Sequence, residues 1–301
     1  MKKEMLVILI ACCIFFGGCV ENFQHLVEKL PGLPKGGKIS VSGGDVDFYI
    51  LFPKNREKIN KEYEFRPAVR IENTGNVDTE GTLCIFGLDG ETFYGFRDCE
   101  CVPFEISTNP NSPNYREETI EFGPFSISPD ASGAYTLTFS ARYSYKTTGE
   151  FKPCIKKELN GPECRQEGNL LKTSSKAPIE IVQITETLMP EKNFADVVFH
   201  IKLKKSKDGN ILGLESFREY GCILQEYEEE AEVILKDVPD YGEFYCGRAV
   251  FKNGEAKVDC NMKFNLFDES GAYLYKNYQP KIKIEVSYSF EKIKSSTFTV
   301  Y

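Results

Sequence analysis

Beyond residue 38 the apolar residues recur at every second position, and no window sustains the about 3.6-residue spacing of an amphipathic helix. Tyr135, Leu137, Phe139, Ala141, Tyr143 and Tyr145 alternate with Thr136, Thr138, Ser140, Arg142 and Ser144. Ile282, Ile284, Val286, Tyr288 and Phe290 alternate with Lys283, Glu285, Ser287 and Ser289, and Val197, Phe199, Ile201 and Leu203 with Val198, His200, Lys202 and Lys204. Successive strand side chains point to opposite faces, so this pattern specifies sheets buried on one face and solvated on the other. Further runs fall at 46–52, 63–72, 82–86, 118–127, 231–236, 243–251, 256–266 and 296–301. Turn clusters separate them, namely Asn73-Thr74-Gly75-Asn76, Ser128-Pro129-Asp130, Asp208-Gly209-Asn210 and Asn253-Gly254. The last is a hairpin signal, because Asn and Gly tolerate the positive φ of a two-residue turn. Pro67 would withhold a ladder donor inside 63–72, which places that strand at an edge or bulge. The aromatic stripes at 135–145 and 288–290 have strict period two and read as core rather than as a carbohydrate platform. The expected class is all-β.

A chain of 301 residues has room for two domains of about 150 residues each. Short repeats support a duplication. Ser132-Gly133-Ala134-Tyr135 recurs as Ser270-Gly271-Ala272-Tyr273, and Cys84-Ile85-Phe86 matches Cys222-Ile223-Leu224 at the same 138-residue offset. Tyr143-Ser144-Tyr145 is echoed by Tyr288-Ser289-Phe290, and Gly75-Asn76 by Gly209-Asn210. Residues 165–177 are rich in Gly, Asn, Ser, Lys and Thr and read as a linker. The expectation is therefore two tandem Ig-like antiparallel β-sandwiches, 38–164 and 178–301, each with room for about seven strands.

The first 37 residues have a different character. Lys2 and Lys3 precede an uninterrupted apolar run from Met5 to Phe16, followed by Gly17, Gly18 and Cys19. Charge, apolar core and small residues in that order are those of a secretory signal at 1–18. Phe16-Gly17-Gly18-Cys19 resembles the lipobox of bacterial and archaeal lipoproteins, departing from it at Phe16, where an aliphatic residue is usual. The resemblance implies cleavage before Cys19, lipid on its thiol, and a lipid-anchored body on the extracellular face of the cell membrane. A plain signal or an uncleaved helix is the alternative, although Met5 to Val20 falls short of the ~20 residues that span a bilayer. Residues 19–37 read as a tether, with Pro31, Pro34, Gly36 and Gly37 breaking any helix and His25 solvated. Arg70-Ile71-Glu72-Asn73-Thr74-Gly75-Asn76 in turn resembles the strand–turn–strand signature of CARDB-type and related Ig-like modules. That resemblance implies an Ig-like spacer or adhesion unit of a prokaryotic, archaeal-type surface protein.

Of the 11 cysteines, Cys12 and Cys13 lie in the signal and Cys19 at the anchor. Cys84, Cys99, Cys101, Cys154, Cys164, Cys222, Cys246 and Cys260 are left, an even number in an exported chain, and read as disulfide partners. The repeat favours Cys84 with Cys99 or Cys101, and Cys222 with Cys246; Cys154 and Cys164 bracket a turn and suit a local bridge. An interdomain bridge or two free thiols would satisfy the remaining two. Alternatively Cys246 pairs with Cys260 across the Asn253-Gly254 hairpin, freeing Cys222. Zinc is disfavoured, since C-x-x-C is absent outside the signal and Cys99-Glu100-Cys101 is too tight.

The chain holds only 2 histidines and lacks the motifs of serine hydrolases, zinc proteases, P-loops and dinucleotide folds. His200 sits on a polar strand face, away from any sequence-local partner. No catalytic, cofactor-binding or metal-binding residue is expected. A net charge of −8 opposes nucleic-acid binding. The acidic stretch 226–232 and Asp237-Val238-Pro239-Asp240 lack a calcium-loop pattern and read as solvated. The expected function is a membrane-anchored structural or adhesive module without catalysis, its partner a surface protein or a glycan. A sugar- or solute-binding component of a membrane complex is the alternative, and a carboxylate-dependent envelope hydrolase a weaker one.

Overall fold

The computed structural model describes residues 40–42, 46–75, 78–161, 164–165, 168–175, 177–206, 208–212, 228–276 and 279–301. These form eighteen strands and, among the described residues, no helix long and apolar enough to cross a membrane. The chain opens with β1 (Ser40–Ser42), β2 (Val46–Phe52), β3 (Lys58–Ile59), β4 (Ala68–Asn73), β5 (Thr79–Phe86) and β6 (Phe93–Tyr94). It continues with β7 (Cys99–Ile106), β8 (Glu117–Glu121), β9 (Ser126–Ile127), β10 (Gly133–Phe151), β11 (Leu171–Ser175) and β12 (Ile179–Pro190). The last six are β13 (Phe194–Lys205), β14 (Asn210–Leu212), β15 (Glu230–Val238), β16 (Gly242–Val250), β17 (Glu255–Asn265) and β18 (Ile282–Val300).

Strands β10 and β18, 19 residues each, are the spine. They pair antiparallel without a slip, from Gly133 opposite Val300 to Phe151 opposite Ile282. Tyr143, Ser144 and Tyr145 therefore face Phe290, Ser289 and Tyr288, so the repeated motif pairs with itself. Around this spine a ten-stranded sheet forms, in which β10 carries β5 and then β7, while β18 carries β15 and then β16. Two separate three-stranded sheets have the orders β2-β4-β8 and β12-β13-β17. Taking β2, β4, β5, β7, β8, β10 as one set and β12, β13, β15, β16, β17, β18 as another, the two follow one plan. The first, second and fifth strands make the small sheet; the fourth, third and sixth lie in the large one.

Both small sheets lie on one face of the spine. The Tyr143 hydroxyl donates to the Val46 carbonyl at 3.3 Å, and the Phe65 and Phe298 rings stack 5.1 Å apart. In the other half the Thr147 hydroxyl donates to the Ile179 carbonyl at 2.7 Å, and Phe151 meets Phe199 edge-on at 5.1 Å. Odd positions of β10 and even positions of β18 thus feed the core, as the alternation requires, and Leu137, Phe139, Tyr143, Phe151, Tyr288 and Phe290 are all buried. Each such side chain contributes about 1.5–3 kcal/mol relative to exposure. The opposite face is polar: Thr136 bonds Thr297 at 3.1 Å, Thr138 bonds Ser295 at 3.0 Å, and Lys146 pairs with Glu285 at 3.0 Å. At its centre the Glu291 carboxylate is fully buried against Arg142 Nε at 2.8 Å. The Ser140 hydroxyl and the Asn210 amide complete its hydrogen bonds at 2.6 and 3.1 Å.

Several expectations meet a different arrangement. The segment read as a linker contains β11, which pairs with β10 antiparallel and with β1 in parallel. The sheet runs through that boundary, and residues 39–301 cluster as one compact unit. Pro67 precedes β4 rather than interrupting it, and β4 is the middle strand of its sheet, with the Pro67 carbonyl accepting from Phe122 N–H at 2.8 Å. Ser132–Tyr135 opens β10, whereas Ser270–Tyr273 lies in a turn closed by Asp268 ahead of β18. The two copies of that motif therefore do not hold equivalent places.

Three bridges join pairs of described cysteines: Cys84–Cys101, Cys154–Cys164 and Cys246–Cys260. The favoured Cys222–Cys246 pairing is thereby replaced by its alternative, because the Asn253-Gly254 hairpin sets β16 and β17 side by side. Asn253 and Gly254 adopt φ of 54° and 77°, as such a turn demands. Beyond the turn the two strands part into different sheets, so the bridge ties one sheet to the other. Cys99 is disulfide-bonded as well. Cys12, Cys13, Cys19 and Cys222, with the signal, the tether and His25, lie outside the described residues.

Candidate functional site

A cleft of about 750 Å³ opens where β2, two turns and the middle of β18 meet. Asp47 and Tyr49 come from β2, Thr74 from the Asn73–Gly75 turn, Asp208 to Asn210 from the turn before β14, and Lys292 to Lys294 from β18. Both copies of the repeated glycine turn thus converge on one place. The first is held by Asn73, whose carboxamide oxygen accepts from Gly75 N–H at 2.8 Å and whose amide donates to Thr79 at 3.0 Å. A side chain at Gly75 would run into the Tyr145 hydroxyl of β10. A side chain at Gly209, where φ is +143°, would meet the Glu291 carbonyl and the Phe290 ring of β18. Each turn therefore needs glycine to approach a spine strand.

The electrostatics of the cleft centre on Asp47. Lys294 Nζ lies 2.9 Å from its carboxylate and Lys292 Nζ 3.7 Å. Partial burial pushes the Asp47 carboxyl up, but the Lys294 hydrogen bond, the Lys292 charge and the Phe48 N–H outweigh it and hold it below the ordinary carboxylate value. Lys292 also donates to the Val46 carbonyl at 2.6 Å, and Lys294 caps the Phe48 carbonyl and lies 4.8 Å over the Phe48 ring. Because the folded-state pKa is depressed, the stabilisation is present above the unfolded value of about 3.9 and is lost as pH falls through the folded one. Asp47→Asn is accordingly expected to destabilise the chain near pH 6, with the gap to wild type closing below about pH 4. Urea unfolding across that range measures it, and a gap independent of pH would refute the assignment.

Other groups noted in the sequence lie elsewhere. His200 bridges the small β12-β13-β17 sheet, its Nδ1 2.8 Å from Asp259 Oδ1 and its Nε2 3.0 Å from Thr187 Oγ1. The order hydroxyl, imidazole, carboxylate is that of a hydrolytic triad, and no local sequence signal announces it, since the three residues meet only through strand register. It lies flat on a solvated sheet face, with His200 and Asp259 44% and 58% exposed. The backbone amides of β13 belong to the ladders on either side, so they supply no oxyanion donors. Cys84, Cys99 and Cys101 place their sulfurs within 4.8 Å of one another, but as disulfides they offer no thiolate to a metal. Of the acidic stretch, Glu229 bonds Lys205 at 2.6 Å and Glu230 bonds Arg248 at 3.1 Å, while Asp237 pairs with Lys283 at 2.8 Å. These carboxylates are committed to ion pairs across strands.

No family model matches the chain, and no curated protein matches it.

Proposed function

We propose that this chain is an exported, lipid-anchored surface protein whose body consists of two Ig-like sandwiches of CARDB type, fused through one shared sheet, and that it works by binding rather than catalysis. The observation that carries the reading is the repeated strand plan, with both glycine turns meeting at a single cleft. In a tandem array the sixth strand of each sandwich would have a neighbour of its own; here β10 and β18 serve as that neighbour for each other. Such pairing makes a stiff body of the kind that presents a surface away from a membrane. Bridged cysteines suit an oxidising, extracytoplasmic location. A protein or glycan of the surroundings is the partner class.

The cleft itself favours a second reading, a solute-binding component of a membrane complex, because about 750 Å³ lies within the range of small-molecule sites. The hydrolase alternative is not favoured: a general acid needs a carboxyl held protonated, and Asp47 is held ionised. The anchor is tested by Cys19→Ser. The variant is expected to lose membrane attachment on fractionation and to leave the wild-type chain as the sole form labelled by a lipid precursor. Undiminished attachment of the serine variant would count against lipidation.

A further inference from the structure

We propose that the open edge of β18, between its two short partners, binds an extended peptide segment of a partner protein. The inference rests on the binding reading above and names its partner class. On one side β18 pairs with β10 along its whole length. On the other, β14 reaches only Glu291 and β3 begins only at Thr299, and no described strand pairs with residues 292–298. The alternation of the ladder shows which groups face this gap. The Thr297 carbonyl accepts from Arg56 N–H at 2.6 Å, and Thr299 N–H donates to the Glu57 carbonyl at 2.8 Å. Odd-numbered residues here therefore point both backbone groups away from β10. The β10 register has no slip, so Ile293 and Ser295 do the same, and neither finds a backbone partner there among the described residues.

The edge that faces it across the cleft is closed. Lys292 and Lys294 cap the carbonyls of Val46 and Phe48 in β2, and the Asp47 carboxylate takes Phe48 N–H at 2.8 Å. Of the two strand edges bordering the cleft, one is blunted by side chains in the way sheets avoid unwanted pairing, and the other is bare among the described residues. A bare run with donors and acceptors in the wall of a cleft is what strand addition requires.

Charge and shape decide the occupant. Asp47 and Asp208 offset Lys292 and Lys294, so neither a polyanion nor a cation gains from entering. A peptide backbone is uncharged and carries the missing donors and acceptors in alternation. The gap spans about five residues, or ~17 Å of extended chain. A second copy of this protein would present the same edge recessed between its own β14 and β3, so the two recesses cannot meet. Tyr49 and Ile293, 43% and 40% exposed, offer apolar contacts to alternate side chains of the guest.

The experiment screens the full chain in detergent against a displayed library of random heptapeptides and resynthesises those retained. Binding is expected to slow hydrogen exchange in fragments covering 290–298. Ser295→Pro, which removes an edge donor that the β10 ladder does not use, is expected to weaken binding at least about 10-fold, whereas Ser295→Ala keeps the donor and binds as wild type. Equal retention by the proline variant, or binding without protection at 290–298, would overturn the proposal. So would protection of the Ile293 and Ser295 amides in the free chain, which the β10 ladder does not hold, since it would mean that the chain closes its own edge. If Cys19→Ser stays on the membrane while these amides are protected, the anchor fails and the peptide site stands; loss of anchoring without protection has the reverse meaning.

Discussion

Replacing Arg142 by Leu is expected to destabilise the protein by about 3–5 kcal/mol, because it strands a carboxylate with no exposed side-chain surface. Arg142 and Glu291 are each the middle residue of a 19-residue strand and sit directly opposite one another. The pair therefore lies at the point about which the two halves repeat. Removing Arg142 leaves Glu291, among the described residues, with the Ser140 hydroxyl and the Asn210 amide, neither of which neutralises it. Urea unfolding should show a lower midpoint with an unchanged slope. The double change Arg142→Leu with Glu291→Leu is expected to recover much of the loss, since it removes the buried charge, and the hydrogen bonds from Ser140 and Asn210 that it leaves unmade cost roughly 1 kcal/mol each. A single-variant loss below about 1 kcal/mol would mean that the carboxylate is not desolvated as described.

The Cys246–Cys260 bridge carries the second large effect. Replacing both cysteines by Ala is expected to cost about 3 kcal/mol, the loop-closure value for a bridge spanning 14 residues. Cys84–Cys101 closes 17 residues, so loop entropy alone predicts a similar loss there. The two differ in what they hold. Cys84 and Cys101 face each other on adjacent strands of one sheet, already joined by a ladder. Cys246 and Cys260 join the outermost strand of the large sheet to a strand of the small one, with no ladder between them. Hydrogen exchange in β16 is therefore expected to rise only when the second bridge is removed. Equal exchange in both variants would reduce that bridge to its loop entropy.

Much of the strand content was legible in the chain. The alternations at 135–145, 197–203 and 282–290 fall within β10, β13 and β18, with the apolar face turned to the core. Less legible was how far those strands extend. Lys146-Thr147-Thr148-Gly149-Glu150 resembles a turn in composition, yet it continues β10, because Thr147 bonds across the core and Gly149 admits Ile181 and Ile284 close to its backbone. The polar stretch around 171–175 becomes a strand by pairing on both sides. Cys84 pairs with Cys101, one of the two partners the repeat favoured, but Cys246 followed the hairpin rather than the repeat, since a local turn controls neighbouring strands more directly than a distant sequence echo.

The candidate site was only half legible. Its two glycine turns stood out as echoes of one another, but nothing in the residue order placed them side by side or beside Lys292 and Lys294. Residues 74, 208 and 292 are remote in sequence and meet through tertiary contacts alone. Period-two patterning is a local property of side chains, so strand class, the buried face and the turn positions could be read from residue order. Pairing between β10 and β18 depends on which edges are left free after every other strand has found its place. That choice is global, and it created the shared sheet, the buried Arg142–Glu291 pair and the stretch of β18 beside the cleft that no described strand covers.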